Sequence, residues 1–274
     1  MVLVMFSKML KDRSIPQLCE LAVQLGLQGY DLCVRPGYAV NPDNAAAQLP
    51  AAVKTFAAAG LSVPMVTGNF DLLAPDHPTA APILKAMDAA EVRLLKLGYY
   101  KLDPAADYWA EVDRIRRLFD GWSSLSRRYG VKVLYHTHSV RCHGLNAGML
   151  MHLLKDTDPA CLGAYLDPGH LCIEGEEFAV AAAMTRGRLA AIGLKDSLLT
   201  RGERNGHGTK EHAFVLAGEG MVDWTGVFQT LVAEGFAGPL TVHCEFEVPP
   251  DRFLASVQAD IDFFKRVRAE TARG

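Results

Sequence analysis

Short apolar runs alternate with longer Ala- and Leu-rich stretches along the whole chain. Eight of the short runs predict β-strands, at residues 2–6, 29–34, 61–66, 93–98, 131–136, 161–166, 189–194 and 239–244. The longer stretches predict helices at residues 14–25, 43–59, 79–90, 105–129, 146–155, 176–185, 222–234 and 250–270. Strict alternation of eight strands with eight helices is typical of an α/β protein built as one (β/α)8 barrel, so we expect a single domain over residues 1–274.

Polar and charged side chains follow most of the predicted strands, at the point where each apolar run ends. In a (β/α)8 barrel the carboxyl ends of all strands meet at one rim, where the chemistry takes place. The candidate rim residues are therefore Arg35, Tyr99, Tyr100, Lys101, His136, His138, Asp167, His170, Lys195, Asp196, His243, Glu245 and Glu247.

The amino-acid composition of the chain limits the kinds of partner that we expect it to bind. The 274 residues are 50% hydrophobic and 22% charged, with a net charge of −3, which fits one large core and disfavours a nucleic-acid partner. No apolar run approaches the roughly 20 residues needed to span a membrane, and the first residues do not look like a signal peptide. The six cysteines form no CxxC pair, so we expect a reducing, cytoplasmic setting. The sequence leaves open whether the chain forms a homo-oligomer.

Several segments resemble the sugar phosphate isomerase/epimerase superfamily, the xylose isomerase-like TIM barrels. They are YDLCVRPGYAVNPDNAAAQLP, LGYYKLD, LDPGHLCIEG, GLKD and AGEGMVDW with the later GPLTVHCEFE. The resemblance implies one divalent metal ion (Mn, Mg, Zn or Co) held by His136, Asp167 and Glu245. It also implies that Glu245 serves as a base and that His170 contacts the substrate.

Two positions depart from the superfamily pattern. His136 stands where the fifth strand usually ends in Glu, and Gly193 stands where the seventh strand usually carries a ligand His. His207 or His212, in the polar segment RGERNGHGTKEH, could supply the missing ligand, or that segment is a solvated lid. Alternatively the ammonium group of Lys195 fills the space, in which case metal affinity would be low or absent.

The remaining rim residues complete a candidate active site. Glu245, Lys195 and His136 are the candidate catalytic residues, since removing a proton next to a carbonyl needs a base and a group that stabilises the oxygen. A salt bridge from Lys195 to Asp196 or Glu219 is the structural alternative. The candidate substrate contacts are Arg35, His138, His170 and Tyr100.

Four functions compete for this site. The first is a metal-assisted sugar isomerase or epimerase that transfers a proton next to the carbonyl of a sugar or sugar derivative. The second is a lyase or dehydratase that acts on a keto-sugar or keto-inositol. An apurinic-site endonuclease is less favoured, because it needs several zinc ligands and a basic groove. A non-catalytic sugar-binding barrel is a further, less favoured alternative.

Overall fold

The computed structural model describes residues 1–272. Eight parallel strands close into a barrel in the order β1-β10-β7-β6-β5-β4-β3-β2, which confirms the predicted fold. The barrel strands are β1 (Val2–Phe6), β2 (Gly29–Cys33), β3 (Ser62–Thr67), β4 (Leu94–Lys96), β5 (Lys132–His136), β6 (Leu162–Leu166), β7 (Leu189–Leu194) and β10 (Pro239–Val242).

Helices surround the barrel and connect successive strands. They are α1 (Ile15–Leu25), α2 (Ala45–Ala58), α3 (Ala80–Ala89), α4 (Tyr108–Tyr129), α5 (Ala147–Leu154), α6 (Pro168–Glu174), α7 (Phe178–Met184), α8 (Trp224–Ala233) and α9 (Phe253–Thr271). Single-turn 3-10 helices lie at Ser7–Leu10 and Pro250–Arg252. The sequence pattern did not predict α6, since its seven residues are too few to display a helical period.

A hairpin projects from the rim between β7 and α8. Strands β8 (Asp196–Arg204) and β9 (His207–Val215) pair antiparallel over nine residues each, where the sequence indicated only a polar loop. Asn205 and Gly206 form the two-residue turn, both with positive φ (54° and 76°). An Asn-Gly pair between two runs is a strong hairpin signal, so this element was predictable from the turn residues.

Apolar side chains fill two regions. Most of the core lies between the barrel and its helices, while Met65, Leu134, Tyr165 and Ala191 pack inside the barrel. All six cysteines are free thiols. Within residues 1–272 no helix combines the length and the apolar character needed to cross a membrane.

A buried carboxyl ties the last helix to the segment that follows the hairpin. Asp260 on α9 accepts a hydrogen bond from the backbone N–H of Ala217, at 2.8 Å. Burial, together with the nearby carboxylates of Asp196 and Glu219, raises the pKa of Asp260 from 3.8 to about 7. The carboxyl therefore holds a proton near neutrality in the folded protein, whereas it is ionised in the unfolded chain.

Replacing Asp260 with Asn should change how stability depends on pH. Because the folded-state pKa exceeds the unfolded one, the stability contributed by this carboxyl is present at low pH and lost as pH rises through about 7. At about 1.36 kcal/mol per pKa unit, the wild type should lose up to about 4 kcal/mol relative to Asp260→Asn between about pH 4 and about pH 8. Urea unfolding of both proteins across this range measures the difference, and parallel stability profiles would contradict it.

Candidate active site

The segment Asp167–His170 places a carboxylate at the tip of β6 and begins α6. The Asp167 side chain caps the helix by accepting a hydrogen bond from the N–H of His170 at 3.1 Å, and Pro168 takes the first helical position. A Cβ on Gly169 would lie 2.3 Å from the carbonyl oxygen of Lys195, so only glycine lets the helix approach β7 this closely. The residues that begin α6 therefore also position side chains of the site.

The ammonium group of Lys195 is the centre of the site. It donates to Glu245 Oε2 at 2.7 Å and to His170 Nε2 at 2.9 Å, and it lies 3.5 Å from Asp167 Oδ2. Burial lowers the pKa of Lys195, but the two carboxylates outweigh it and leave the pKa above its ordinary value. The side chain is only 3% exposed, so a fixed positive charge lies between two acidic residues from different strands.

The salt bridge from Lys195 to Asp196 that the sequence offered as an alternative does not form. The Asp196 carboxylate is instead surrounded by donors from the segment after the hairpin, including the backbone N–H groups of Gly218 and Val222 and the indole of Trp224. Asp196 therefore anchors that segment, and its neighbour Lys195 is left to face the barrel interior.

Glu245 reaches the centre of the site because the chain bends just before it. Strand β10 ends at Val242, and Cys244 takes a left-handed conformation with φ 49°. Burial raises the pKa of Glu245, but the charges of Lys195 and Lys8 outweigh burial and hold that pKa well below its ordinary range. Both carboxylate oxygens are engaged, Oε2 by Lys195 and Oε1 by Lys8.

Two buried imidazoles face the Asp167 carboxylate from neighbouring strand ends. His136 Nε2 lies 3.4 Å and His243 Nδ1 lies 3.7 Å from Asp167 Oδ2, and none of these three atoms has a hydrogen-bond partner within residues 1–272. Their other ring nitrogens meet phenol groups, His136 Nδ1 at 3.2 Å from Tyr99 and His243 Nε2 at 2.8 Å from Tyr165. Burial, reinforced by nearby lysines, holds the pKa of both imidazoles well below the ordinary value, so both are neutral.

The ligand set implied by the family resemblance does not fit a metal ion in this arrangement. Although unpartnered nitrogen and oxygen atoms surround Asp167, the ammonium of Lys195 already lies between the Asp167 and Glu245 carboxylates. Over residues 1–272 no three His, Cys, Asp or Glu side chains are grouped so that they could hold a metal together. His207 and His212 are solvent-exposed on the hairpin and supply no further ligand.

The packing around Gly193, near the end of β7, explains why this position carries no ligand histidine. A Cβ at this position would lie 2.9 Å from Asp167 Oδ2 and 3.2 Å from His243 Nε2. The ring of His243 and the carboxylate of Asp167 thus occupy the space that a side chain at residue 193 would need. His243 had been grouped with the rim residues but not assigned a role, because nothing in a single strand-end histidine reveals what it packs against.

A cavity of about 140 Å³ opens above Lys195 at the carboxyl rim. Its polar wall comprises Lys8, Arg35, Tyr99, His138, Lys195 and Glu245, and aromatic side chains cover the remainder. The ring of Phe214, on the hairpin, covers the Lys195 ammonium at 4.2 Å, and that of Phe70 covers the Arg35 guanidinium at 4.3 Å. The cavity is therefore cationic on its polar side and closed by aromatic rings.

A second buried lysine lies beneath the cavity and was not among the residues predicted from sequence. Lys96, the last residue of β4, donates to the hydroxyl of Tyr99 at 2.7 Å. Burial, followed by the charge of Arg35, lowers the pKa of Lys96 from 10.5 to about 7. A lone lysine at the end of a three-residue strand gives no sequence signal that separates it from an exposed one.

The predicted substrate contacts fall into different environments. Arg35 and His138 line the cavity, and burial followed by the charge of Lys195 lowers the pKa of His138 to about 4. His170 lies beneath the cavity, held between Lys195 and the hydroxyl of Ser139. Tyr100 corrects the prediction, since it packs outside the barrel among aromatic rings and its hydroxyl donates to a backbone carbonyl there.

Tyr99 lies in the wall of the cavity, where the sequence analysis predicted Tyr100. The Tyr100 hydroxyl instead donates to the backbone carbonyl of Leu73. His136, predicted as a catalytic acid and a ligand, is 1% exposed and lies behind Tyr99.

Comparison with known proteins finds sequence relatives over part of the chain. The chain is 28% identical over 145 residues to an inosose dehydratase of Bacillus licheniformis and 27% identical over 146 residues to one of Geobacillus thermodenitrificans. These matches cover 47% and 49% of this chain and 46% of each dehydratase, so the chain spans about half the length of the curated relatives it matches.

Solved structures match over nearly the whole chain. A D-psicose 3-epimerase from Clostridium cellulolyticum H10 superposes with a TM-score of 0.72 at 14% identity, covering 98% of this chain and 99% of the epimerase. A 3-keto-D-glucoside 4-epimerase from E. coli superposes with a TM-score of 0.74 at 14% identity, with the same coverage of 98% and 99%. The family model described as xylose isomerase-like TIM barrel matches residues 19–267, and this chain therefore belongs to that family.

Proposed function

We propose that this chain is an isomerase or epimerase that moves a proton next to the carbonyl group of a sugar or sugar derivative. The observation that carries this proposal is the contact of 2.7 Å between Lys195 Nζ and Glu245 Oε2 in the wall of a closed cavity. A fixed ammonium and a carboxylate side by side supply the two groups that such a proton transfer needs, a base and a cationic partner for the oxygen.

Glu245 is the base in this proposal. Its ion pairs with Lys195 and Lys8 keep it deprotonated, as a base must be, and they also weaken it. The substrate must therefore be made more acidic, and Lys195 does this by donating to the substrate oxygen on which negative charge develops. A donor that is already oriented in a water-poor site stabilises such an oxygen far more than a solvated one.

Tyr99 lies on the opposite side of the cavity from Glu245. Strand β4, which precedes Tyr99, is four strands away from β10 in either direction around the eight-stranded barrel. A substrate held between them exposes one face to the carboxylate and the other to the phenol. We propose that Tyr99, supported by Lys96, returns a proton to the face opposite Glu245, which would invert the configuration of the carbon.

Arg35 and His138 complete the proposed substrate contacts. The Arg35 Nε donates to the carbonyl of Gly68 at 2.8 Å, which fixes the guanidinium beneath Phe70 with its remaining N–H groups available to the cavity. Neutral His138 offers a ring nitrogen to a hydroxyl. This wall of donors suits a polyhydroxylated carbonyl compound.

A dehydratase is the second candidate, supported by the inosose dehydratases that share sequence with about half of this chain. It needs the same first step, abstraction of a proton next to a carbonyl, followed by loss of a neighbouring hydroxyl. The products separate the two functions, since a dehydratase yields an unsaturated ketone that absorbs ultraviolet light. An apurinic-site endonuclease gains no support, since residues 1–272 hold no group of three metal-binding side chains.

Glu245→Gln should lower turnover by a factor on the order of 10² or more, because it removes the base while keeping the size of the side chain. The assay is incubation with keto-sugars and inososes in deuterated water, with proton–deuterium exchange at the carbon next to the carbonyl followed by NMR. Glu247→Gln is the matched control, because Glu247 is exposed on the same segment. Loss of exchange in Glu247→Gln with near-normal exchange in Glu245→Gln would reject Glu245 as the base.

Tyr99→Phe should separate proton removal from product formation. Exchange of the substrate proton with solvent, which needs only Glu245 and Lys195, should persist, while formation of the inverted product falls by a factor on the order of 10². Tyr100→Phe is the control, since the Tyr100 hydroxyl bonds outside the cavity and its loss should leave both rates unchanged. Equal loss of exchange and product formation in Tyr99→Phe would mean that the phenol only shapes the cavity.

A further inference from the structure

The position that the family pattern gives to a metal ion holds an ammonium group in this chain. Lys195 Nζ lies between Asp167 Oδ2 (3.5 Å) and Glu245 Oε2 (2.7 Å), and its third contact is His170 Nε2 at 2.9 Å. The side chain is 3% exposed, so protein atoms form nearly all of the surroundings of this ammonium group. One cation already balances the carboxylates here, and a divalent ion would have to displace it.

Both oxygens of the Glu245 carboxylate are already engaged by ammonium groups. One of its oxygens accepts from Lys195 and the other contacts the ammonium of Lys8. Coordination by Glu245 would therefore cost two charge-assisted hydrogen bonds, which are about twice as strong as neutral ones.

Steric crowding leaves no room for a metal-ligating side chain at residue 193, near the end of β7. Gly193 has no room for a side chain, because a Cβ there meets Asp167 Oδ2 at 2.9 Å and the His243 ring at 3.2 Å. The absence of a ligand side chain at residue 193 thus follows from the packing around it.

The unpartnered atoms around Asp167 do not supply a second place for a metal ion. Among the described residues, His136 Nε2, His243 Nδ1 and Asp167 Oδ2 are buried without hydrogen-bond partners, and both nitrogens lie within 3.7 Å of that oxygen. Tyr99 and Tyr165 contact the other nitrogens of the two rings. Over residues 1–272 no three such side chains are grouped so that they could hold a metal, and Lys195 is the cation nearest to the Asp167 carboxylate.

We infer that Lys195 takes the place of the divalent metal, so that the chain binds the oxygen of its carbonyl substrate with an ammonium group and holds no metal ion between Asp167 and Glu245. The role of Lys195 toward substrate rests on the proposed function, whereas the metal-binding behaviour does not. Because Lys195 is pinned by two carboxylates, it acts as a charged donor and not as a nucleophile.

The test compares metal binding by the wild type, Lys195→Ala and Lys8→Ala. Each protein is stripped with EDTA, and its metal content and Tm are measured with and without Mn²⁺, Zn²⁺ and Co²⁺. The wild type and Lys8→Ala should retain no stoichiometric metal and show no metal-dependent change in Tm. Lys195→Ala should lose roughly 5 to 15 °C in Tm, because the Asp167 and Glu245 carboxylates lose the cation that balances them.

One equivalent of metal in the wild type, with a Tm that falls on EDTA treatment, would overturn the inference, and this measurement does not depend on whether Lys195→Ala folds. A Lys195→Ala protein with the Tm of the wild type would also overturn it, because the ammonium would then not be the cation that balances the two carboxylates. Neither result alters the expected effect of Glu245→Gln, so failure of this inference and failure of the proposed function are distinguishable.

Discussion

The balance of one buried ammonium against two carboxylates from different strands controls the geometry of this site. Lys195 joins the ends of β7 and β10 through Glu245 and approaches the end of β6 through Asp167. Removing one partner of a buried ion pair leaves an uncompensated charge that costs about 3 to 5 kcal/mol. The three strand ends are therefore held in one arrangement by electrostatics as well as by the hydrogen bonds of the sheet.

The surrounding residues are arranged to permit this pairing. Gly169 lets the first turn of α6 lie against the backbone of Lys195, and Gly193 leaves room for the His243 ring. The hairpin that follows β7 returns Phe214 over the ammonium, which keeps water from the charge. The same features that exclude a metal ligand after β7 thus produce a dry, cationic cavity in which a carbonyl oxygen can be polarised.

Hydrophobic patterning was sufficient to predict the barrel, because eight apolar runs alternate with eight helical stretches. It also placed Asp167, Lys195 and Glu245 at one rim, since the carboxyl ends of parallel strands meet there. It could not decide between Tyr99 and Tyr100, because the side that each faces depends on where β4 stops. Nor could it find Lys96, whose significance comes from burial, or establish which cation lies between the carboxylates, which depends on the directions of side chains from three separate strands.

A crystal structure of the protein grown in the presence of manganese tests this account most directly, because manganese gives an anomalous signal that light atoms do not. The account predicts no anomalous peak between Asp167 and Glu245, with Lys195 Nζ in hydrogen-bond contact with the Glu245 carboxylate. A manganese peak coordinated by these carboxylates, with the lysine side chain displaced, would contradict it.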